Sequence, residues 1–234
     1  MKRLLLATYG LAAYASFVAA LGLLTLSLEG LAFPLDARAA GSAWRAAALD
    51  LGLVALFGFQ HSIMARASFK RALARVIPED GVRSTYVFAS SAVLVAIVSG
   101  WQPLPDLVFS PPSPVRATLV ACSWAGWSLA LASSFAYDHW ALFGLRQSLG
   151  IRPKDESFAT PGPYRWVRHP LYLGLLVAFW AAPAYSAGRL LFASSMTLYI
   201  FAGIAFEERD LLRQFGAAYR GYRQSVARLI PKIF

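Results

Sequence analysis

Long apolar segments separated by short basic stretches dominate the chain. Residues Leu4–Leu28 carry no charged side chain, and three later segments are nearly as apolar. A helix needs about 20 apolar residues to cross the ~30 Å hydrocarbon core of a bilayer. The pattern therefore predicts transmembrane helices at Leu4–Leu28, Ala46–Ala65, Ser84–Trp101 and Arg116–Tyr137.

The segment from His169 to Phe206 is also apolar, but Pro183, Gly188 and Arg189 interrupt it. Because proline and glycine break helices, this segment predicts two shorter helices that form a hairpin. The first apolar segment lacks a small-residue cleavage site, so we expect it to be retained. The predicted fold class is an all-α, polytopic integral membrane protein with five to six transmembrane helices.

The tail from Glu207 to Phe234 has apolar residues at helical spacings of three and four, with arginines between them. This pattern predicts a basic amphipathic helix in the cytoplasm, which Pro231 ends. Such a helix lies against anionic headgroups or covers a cytoplasmic pocket. Its apolar positions are Leu211, Phe215, Tyr219, Tyr222, Val226 and Leu229.

Composition and charge agree with a membrane protein. The chain has 58% hydrophobic and 15% charged residues, whereas soluble domains carry roughly 25% charged residues. Its net charge of +10 would suit a nucleic-acid partner, but 18 of the 22 Lys and Arg residues fall on one side of the predicted membrane. That bias places both termini in the cytoplasm and explains the charge. We therefore expect membrane lipids and no nucleic acid as partners.

Ionisable side chains gather at the cytoplasmic ends of the predicted spans. All three histidines, His61, His139 and His169, fall at this level. Such residues are costly to hold in a membrane and are often functional, so their common depth predicts a cytosol-facing site. The alternative is that polar side chains at span ends reach water or cap a helix. The other members are Gln60, Arg83, Tyr86, Tyr137, Asp138, Arg168, Tyr172, Glu207 and Glu208.

Residue types alone leave the chemistry of this site open. Histidine and glutamate can ligate zinc or non-haem iron, but no pair has the compact spacing of a metal-binding motif, so we predict no metal. The chain also lacks a Gly-x-Ser-x-Gly elbow, a Walker loop and a Gly-x-Gly-x-x-Gly loop. A serine hydrolase, an ATPase and a Rossmann enzyme are therefore not expected.

Two motifs in the second half are more specific. The first is Arg-His-Pro-Leu-Tyr at residues 168–172, and the second is the pair Glu207-Glu208, which begins 35 residues after Tyr172. Together they resemble the mark of the integral-membrane methyltransferases, which include isoprenylcysteine carboxyl methyltransferases and phospholipid methyltransferases.

Further similarity runs from the second span to the C-terminus. Within the superfamily, the stretches at residues 59–66, 83–87, 142–147 and 207–211 are similar to methanethiol S-methyltransferases, which convert methanethiol to dimethyl sulfide with S-adenosylmethionine. The resemblance implies a methyltransferase of a small thiol, with S-adenosylmethionine as cofactor, in the bacterial inner membrane.

The resemblance also implies cofactor contacts, residue by residue. The Glu207 carboxylate suits the ammonium group of S-adenosylmethionine. Pro170 at a helix start leaves N–H groups that can face a carboxylate. The implied contacts are Phe158, Ala159, Tyr164, His169, Pro170, Leu171, Tyr172 and Glu207.

A thiol is mostly protonated at pH 7, so a base is useful. His61 and His139 are the predicted bases, with Tyr86 or Arg83 favouring the thiolate through a hydrogen bond or a positive charge. The alternative is that both histidines only orient helices or cofactor.

We expect residues 1–137 to form the substrate side and residues 138–234 the cofactor-binding half. Two other functions stay open. One is a membrane methyltransferase of a prenylcysteine carboxylate, a phospholipid or another lipophilic acceptor. The other is a non-catalytic membrane or transport protein, against which the two intact motifs argue.

Overall fold

The computed structural model describes residues 1–31, 42–104, 106–151 and 158–231. Arg38, Arg152, Lys154 and Lys232, which contribute to the charge bias, lie outside the described residues. The α-helices in these ranges are α1 (Lys2–Leu28), α2 (Ala43–Ala65), α3 (Ala67–Leu73), α4 (Glu79–Gly100), α5 (Ser113–Tyr137), α6 (His139–Leu142), α7 (Leu145–Ser148), α8 (Pro170–Trp180), α9 (Ala187–Phe215) and α10 (Ala217–Ser225). A 3₁₀ turn spans Gly162–Arg165, and two short strands, β1 (Leu107–Phe109) and β2 (Tyr185–Ser186), pair antiparallel.

Over the described ranges, five helices are long and apolar enough to cross a membrane: α1, α2, α4, α5 and α9. This confirms the predicted all-α, polytopic membrane protein. Each of these five helices overlaps an apolar segment identified in the sequence.

The predicted hairpin of two shorter helices is wrong in its second half. α8 has 11 residues and rises about 16 Å at 1.5 Å per residue, whereas α9 has 29 residues. Gly188 and Arg189 lie in the first turn of α9 and do not interrupt it. A loop carbonyl satisfies the start of this helix, since Gly188 N donates to Leu104 O at 3.0 Å.

The tail is not the continuous amphipathic helix that its pattern predicts. α9 continues to Phe215, and Gly216 with φ +52° separates it from α10. α10 ends at Ser225, well before Pro231. The helix ends early because the next residues are extended and hydrogen-bond through their backbone to residues 167–169.

Packing divides the chain into two compact units. The limits of these units do not coincide with the expected boundary between residues 137 and 138. The division into a substrate half and a cofactor-binding half stays a prediction. Unit 1 comprises Met1–Phe109, Trp140–Lys154 and Tyr185–Phe192, and unit 2 comprises Ser110–His139, Asp155–Ala184 and Ala193–Phe234.

In unit 1, α4 packs against both α1 and α2. Glycine allows a close approach between α1 and α7, because a Cβ on Gly10 would lie 1.8 Å from the Ser148 hydroxyl oxygen. The buried Arg189 side chain donates to Leu28 O at 2.7 Å and so satisfies a carbonyl at the end of α1.

In unit 2, α5 and α8 pack backbone to backbone. A Cβ on Gly126 would lie 2.6 Å from Gly174 O, and a Cβ on Gly174 would lie 2.6 Å from Ala130 N. Next to this contact, Ser123 Oγ donates to Ala178 O at 3.2 Å. The two glycines therefore set the separation of these helices.

We expect Gly174→Ala to destabilise the protein, because the added methyl group meets backbone atoms that cannot move independently. Overpacking of this kind costs about 1–3 kcal/mol. The measurement is thermal unfolding of the purified protein in detergent.

The matched control is Gly203→Ala in α9, where the nearest atom to the new Cβ would be the Tyr172 hydroxyl oxygen at 3.9 Å. This variant should unfold at the wild-type temperature or above it, because alanine favours helix more than glycine does. Equal unfolding temperatures for Gly174→Ala and wild type would contradict the close packing of α5 on α8.

Candidate active site

His61 and Tyr86 form a close pair in unit 1. His61 lies near the end of α2, Tyr86 lies in α4, and the two helices pack together. The Tyr86 hydroxyl oxygen is 2.5 Å from His61 Nε2, and the ring centroids are 4.9 Å apart. Tyr86 is buried. A hydrogen bond of this length in a buried position orients both side chains.

Ser90 complements this pair from the same face of α4. Its hydroxyl oxygen lies 3.2 Å from His61 Nδ1 and accepts a bond from the Gln60 amide nitrogen at 3.3 Å. If Tyr86 donates to Nε2, the proton of the neutral imidazole lies on Nδ1 and is donated to Ser90. Ser90 was not among the predicted residues, although its i, i+4 spacing from Tyr86 is a signal that could have found it.

Arg83 places a positive charge beside the pair. Its Nε donates to Leu142 O at 2.7 Å, and its guanidinium carbon lies 4.8 Å from the centroid of the Tyr86 ring. A cation over an aromatic face is attracted to it. Its charge also favours negative charge on a nearby oxygen or sulfur.

A tight turn holds the carbonyl that Arg83 uses. Gly144 has φ +81°, and a Cβ there would lie 2.8 Å from Ser84 N, so the turn requires glycine. The buried Ser84 hydroxyl donates to Gly144 O at 3.2 Å. The segment after α6 is thereby fixed to α4 one residue after Arg83.

His139, the second predicted base, belongs to unit 2. Its ring stacks on Phe135 with centroids 4.0 Å apart, and its Nδ1 lies 2.8 Å from Ser134 Oγ. The ring is 3% exposed, and burial lowers the pKa of His139, which favours the neutral form at pH 7. The structure thus brings His61, Tyr86 and Arg83 together and places His139 in the other unit.

A buried carboxylate organises the motif residues of unit 2. Glu208 is 6% exposed at its side chain and contacts several cationic groups. Arg168 Nε donates to Glu208 Oε1 at 2.9 Å, and His169 Nε2 lies 3.3 Å from the same oxygen. The other carboxylate oxygen lies 3.5 Å from Arg228 Nη2 and 3.8 Å from Arg223 Nε.

Arg168 and His169 also bind the backbone of the last turn of α10 and of the segment that follows it. Arg168 Nη1 donates to Arg223 O at 3.0 Å and to Val226 O. The amides of Arg168 and His169 donate to Ala227 O at 2.8 Å and to Arg228 O at 3.1 Å. The conformation of the motif thus depends on the C-terminal segment.

Glu207, one residue before Glu208, is in a different environment. Its side chain is 45% exposed, and its carboxylate lies 3.8 Å from His169 Nδ1. Burial lowers the pKa of His169, while the charge of Glu207 opposes this shift. A half-exposed carboxylate beside a mainly neutral imidazole is able to receive a cationic group of a ligand.

Aromatic side chains of the same unit pack against one another. Phe158 lies 5.4 Å from Phe215 and 5.3 Å from Tyr222 between ring centroids. The Tyr222 hydroxyl donates to Tyr164 O at 2.6 Å, and burial raises the pKa of Tyr222 to about 12. Burial, followed by the charge of Glu207, raises the pKa of Tyr164 well above its usual range. Both phenols therefore stay protonated.

In the sequence, α8 begins shortly after the 3₁₀ turn that contains Tyr164. His169 is the N-cap and Pro170 the first helical residue, so the N–H of Leu171 lies outside the intrahelical hydrogen bonds. The ring of Tyr172 lies 5.7 Å from His169 between centroids. Ala159 is exposed. All eight predicted cofactor contacts belong to unit 2.

In the described part of the chain, no three His, Cys, Asp or Glu side chains group as metal ligands do. A cavity of about 220 Å³ in unit 1 is lined by other residues, among them Arg3, Asp80 and Gln147. None of these is a predicted site residue.

The chain is similar to one protein family and to several individual proteins. The NnrU protein family matches residues 48–229. Methanethiol S-methyltransferase 2 of Bradyrhizobium diazoefficiens is 41% identical over 239 residues, which cover 99% of this chain and 92% of the relative. Methanethiol S-methyltransferase of Mycobacterium tuberculosis is 41% identical over 238 residues, which cover 99% and 98%.

Nurim of Sus scrofa is more distant, with 30% identity over 188 residues that cover 70% of this chain and 67% of the relative. No solved structure matches the chain. From the extent of the family match and of the bacterial relatives, the chain belongs to the NnrU family and to the family of methanethiol S-methyltransferases.

Proposed function

We propose that this protein is an S-adenosylmethionine-dependent S-methyltransferase that converts methanethiol to dimethyl sulfide. The relatives that carry this name cover almost the whole chain. The observation that carries the proposal is the half-exposed Glu207 carboxylate beside His169 in a chain with this membership.

The residues of unit 2 fit the methyl donor by their chemistry. Glu207 would hold its ammonium group, because the carboxylate is exposed enough to accept charged hydrogen bonds. The aromatic faces of Phe158 and Tyr164 suit a sulfonium, which is attracted to aromatic rings as other cations are. When bound, the donor supplies a methyl carbon that the sulfonium activates toward a nucleophile.

The residues of unit 1 suit the removal of a thiol proton. The thiol S–H bond breaks as its proton passes to the Tyr86 oxygen, and the Tyr86 proton passes to His61 Nε2 at 2.5 Å. The product of this step is a thiolate, the nucleophilic form of the acceptor. Arg83 favours the negative charge that develops, because its guanidinium lies over the Tyr86 ring.

The direct test supplies purified protein with methanethiol and S-adenosylmethionine and measures dimethyl sulfide in the headspace. We expect wild type to form dimethyl sulfide and Glu207→Ala to form none, because the variant loses the partner of the donor ammonium group. Titration calorimetry should show that Glu207→Ala no longer binds S-adenosylmethionine while it unfolds at nearly the wild-type temperature.

The neighbouring variant Glu208→Ala is the matched control. Removing Glu208 leaves Arg168 buried without its carboxylate, which costs about 3–5 kcal/mol. This variant should fail mainly in stability. Unchanged S-adenosylmethionine affinity in Glu207→Ala would refute the assignment of Glu207, and a wild type that makes no dimethyl sulfide would refute the proposed function.

We expect His61→Ala to lower turnover on the order of 10²–10⁴-fold at neutral pH, the usual contribution of a general base. The defect should shrink as the pH rises, because solvent then supplies the thiolate. Turnover measured from about pH 6 to 10 tests this, and S-adenosylmethionine affinity should stay unchanged. His139→Ala would show the same trend if His139 is the base instead.

Ser90→Ala and Ser91→Ala form a matched pair on α4. Ser90 contacts His61, whereas the Ser91 hydroxyl donates to Val87 O in its own helix at 2.9 Å. Ser90→Ala should show a smaller defect with the same pH trend, and Ser91→Ala should keep wild-type turnover. A His61→Ala defect equally deep at every pH would make His61 a structural residue.

The proposed orientation places both termini and the site in the cytoplasm. In a Cys122→Ser background, an impermeant maleimide should label Ser42→Cys on intact cells, because the N-cap of α2 then lies outside. Leu149→Cys, at an exposed position after α7, should react only in lysed cells. The opposite labelling would reverse the orientation.

A further inference from the structure

Tyr219 in α10 carries a polar atom that the free protein does not use. The residue is 1% exposed, and among the described residues its hydroxyl has no hydrogen-bond partner. Buried hydroxyl groups are nearly always hydrogen-bonded, since an unmade bond costs free energy. An exception in a native protein therefore needs a reason, and a bound ligand is one.

The surroundings of this hydroxyl belong to the candidate cofactor site. The Tyr219 ring meets Phe158 edge to face, with centroids 5.9 Å apart and planes at 89°. Burial raises the pKa of Tyr219 well above its usual range, and the charge of Glu208 raises it further, so the phenol stays protonated. Arg168 and Glu207 are the other charged groups that act on it.

Tyr222, about one helical turn after Tyr219, is a neighbouring tyrosine whose hydroxyl is hydrogen-bonded within the protein. Its ring lies 5.9 Å from that of Tyr219 and 5.3 Å from that of Phe158. Its hydroxyl donates to Tyr164 O at 2.6 Å. Two tyrosines of one helix thus pack on the same phenylalanine, one with its hydroxyl satisfied and one without.

We propose that the Tyr219 hydroxyl donates a hydrogen bond to the amino-acid end of the methyl donor. This inference rests on the proposed function. The end is assigned by charge. Arg168 pairs with Glu208 and also donates to Arg223 O, one turn after Tyr219 in α10, so charged groups are held at this helix. The amino-acid end is the zwitterionic part of the donor, with a carboxylate that accepts such a bond. The nucleoside end is uncharged.

The experiment compares Tyr219→Phe with Tyr222→Phe and wild type in full-length protein in detergent. Titration calorimetry measures binding of S-adenosylhomocysteine, which keeps the amino-acid end, and of 5′-methylthioadenosine, which lacks it. Thermal unfolding without ligand is measured on the same samples. Loss of one hydrogen bond to a charged group weakens affinity about tenfold or more.

Tyr219→Phe should bind S-adenosylhomocysteine about tenfold or more weakly, bind 5′-methylthioadenosine as wild type does, and unfold at the wild-type temperature or above it. Tyr222→Phe should instead unfold at least about 2 °C lower, because it loses a hydrogen bond present in the free protein. Unchanged S-adenosylhomocysteine affinity in Tyr219→Phe, an equal loss for both ligands, or a lowered unfolding temperature would overturn the inference. A wild type that binds neither ligand would refute the proposed function itself.

Discussion

The neutralisation of one buried carboxylate, that of Glu208, is the constraint on which the candidate cofactor site depends. An isolated charge at 6% exposure is unfavourable, and the arginines and the histidine around Glu208 offset that cost. Arg168 can reach Glu208 only if α8 begins next to α9. Its remaining donors then require backbone carbonyls, which the last turn of α10 and the extended segment after it supply. The same contacts fix the backbone of His169 and the position of Glu207.

In unit 1, the position of the Arg83 side chain depends on the backbone geometry of a turn. Gly144 in a left-handed conformation lets its turn approach α4 closely enough for Ser84 to bond it, and the turn presents Leu142 O to Arg83. A guanidinium held at one nitrogen by a carbonyl keeps its charge over the Tyr86 ring. The position of the Arg83 charge therefore depends on the backbone conformation of Gly144, although Gly144 has no side chain of its own.

The sequence predicted four of the five long spans, α1, α2, α4 and α5, because apolar runs of that length have few other stable environments. It failed at the start of α9, because glycine disfavours a helix by only about 1 kcal/mol relative to alanine. Gly188 lies in the first turn, where its amide donates to Leu104 O. It failed again at the end of α10, where pairing with residues 167–169 overrides helical periodicity. For the site, the motif resemblance supplied the residue types of unit 2. The contact of Ser90 with His61 depends on the packing of α2 against α4, which periodicity alone does not specify.

Neighbouring residues of the same type differ in whether their polar groups have hydrogen-bond or ion-pair partners in the free protein. Glu208 and Tyr222 have partners and hold elements together. Glu207 is half exposed, and the buried Tyr219 hydroxyl has no partner within the part of the chain that the structure describes. A group with partners in the free protein gains little from a ligand, because a new bond replaces an old one. A group held in place by packing without partners gains the whole bond when a ligand arrives. On the proposed function, stability and affinity therefore depend on different side chains of the same helices, which is the arrangement expected of a preorganised binding site.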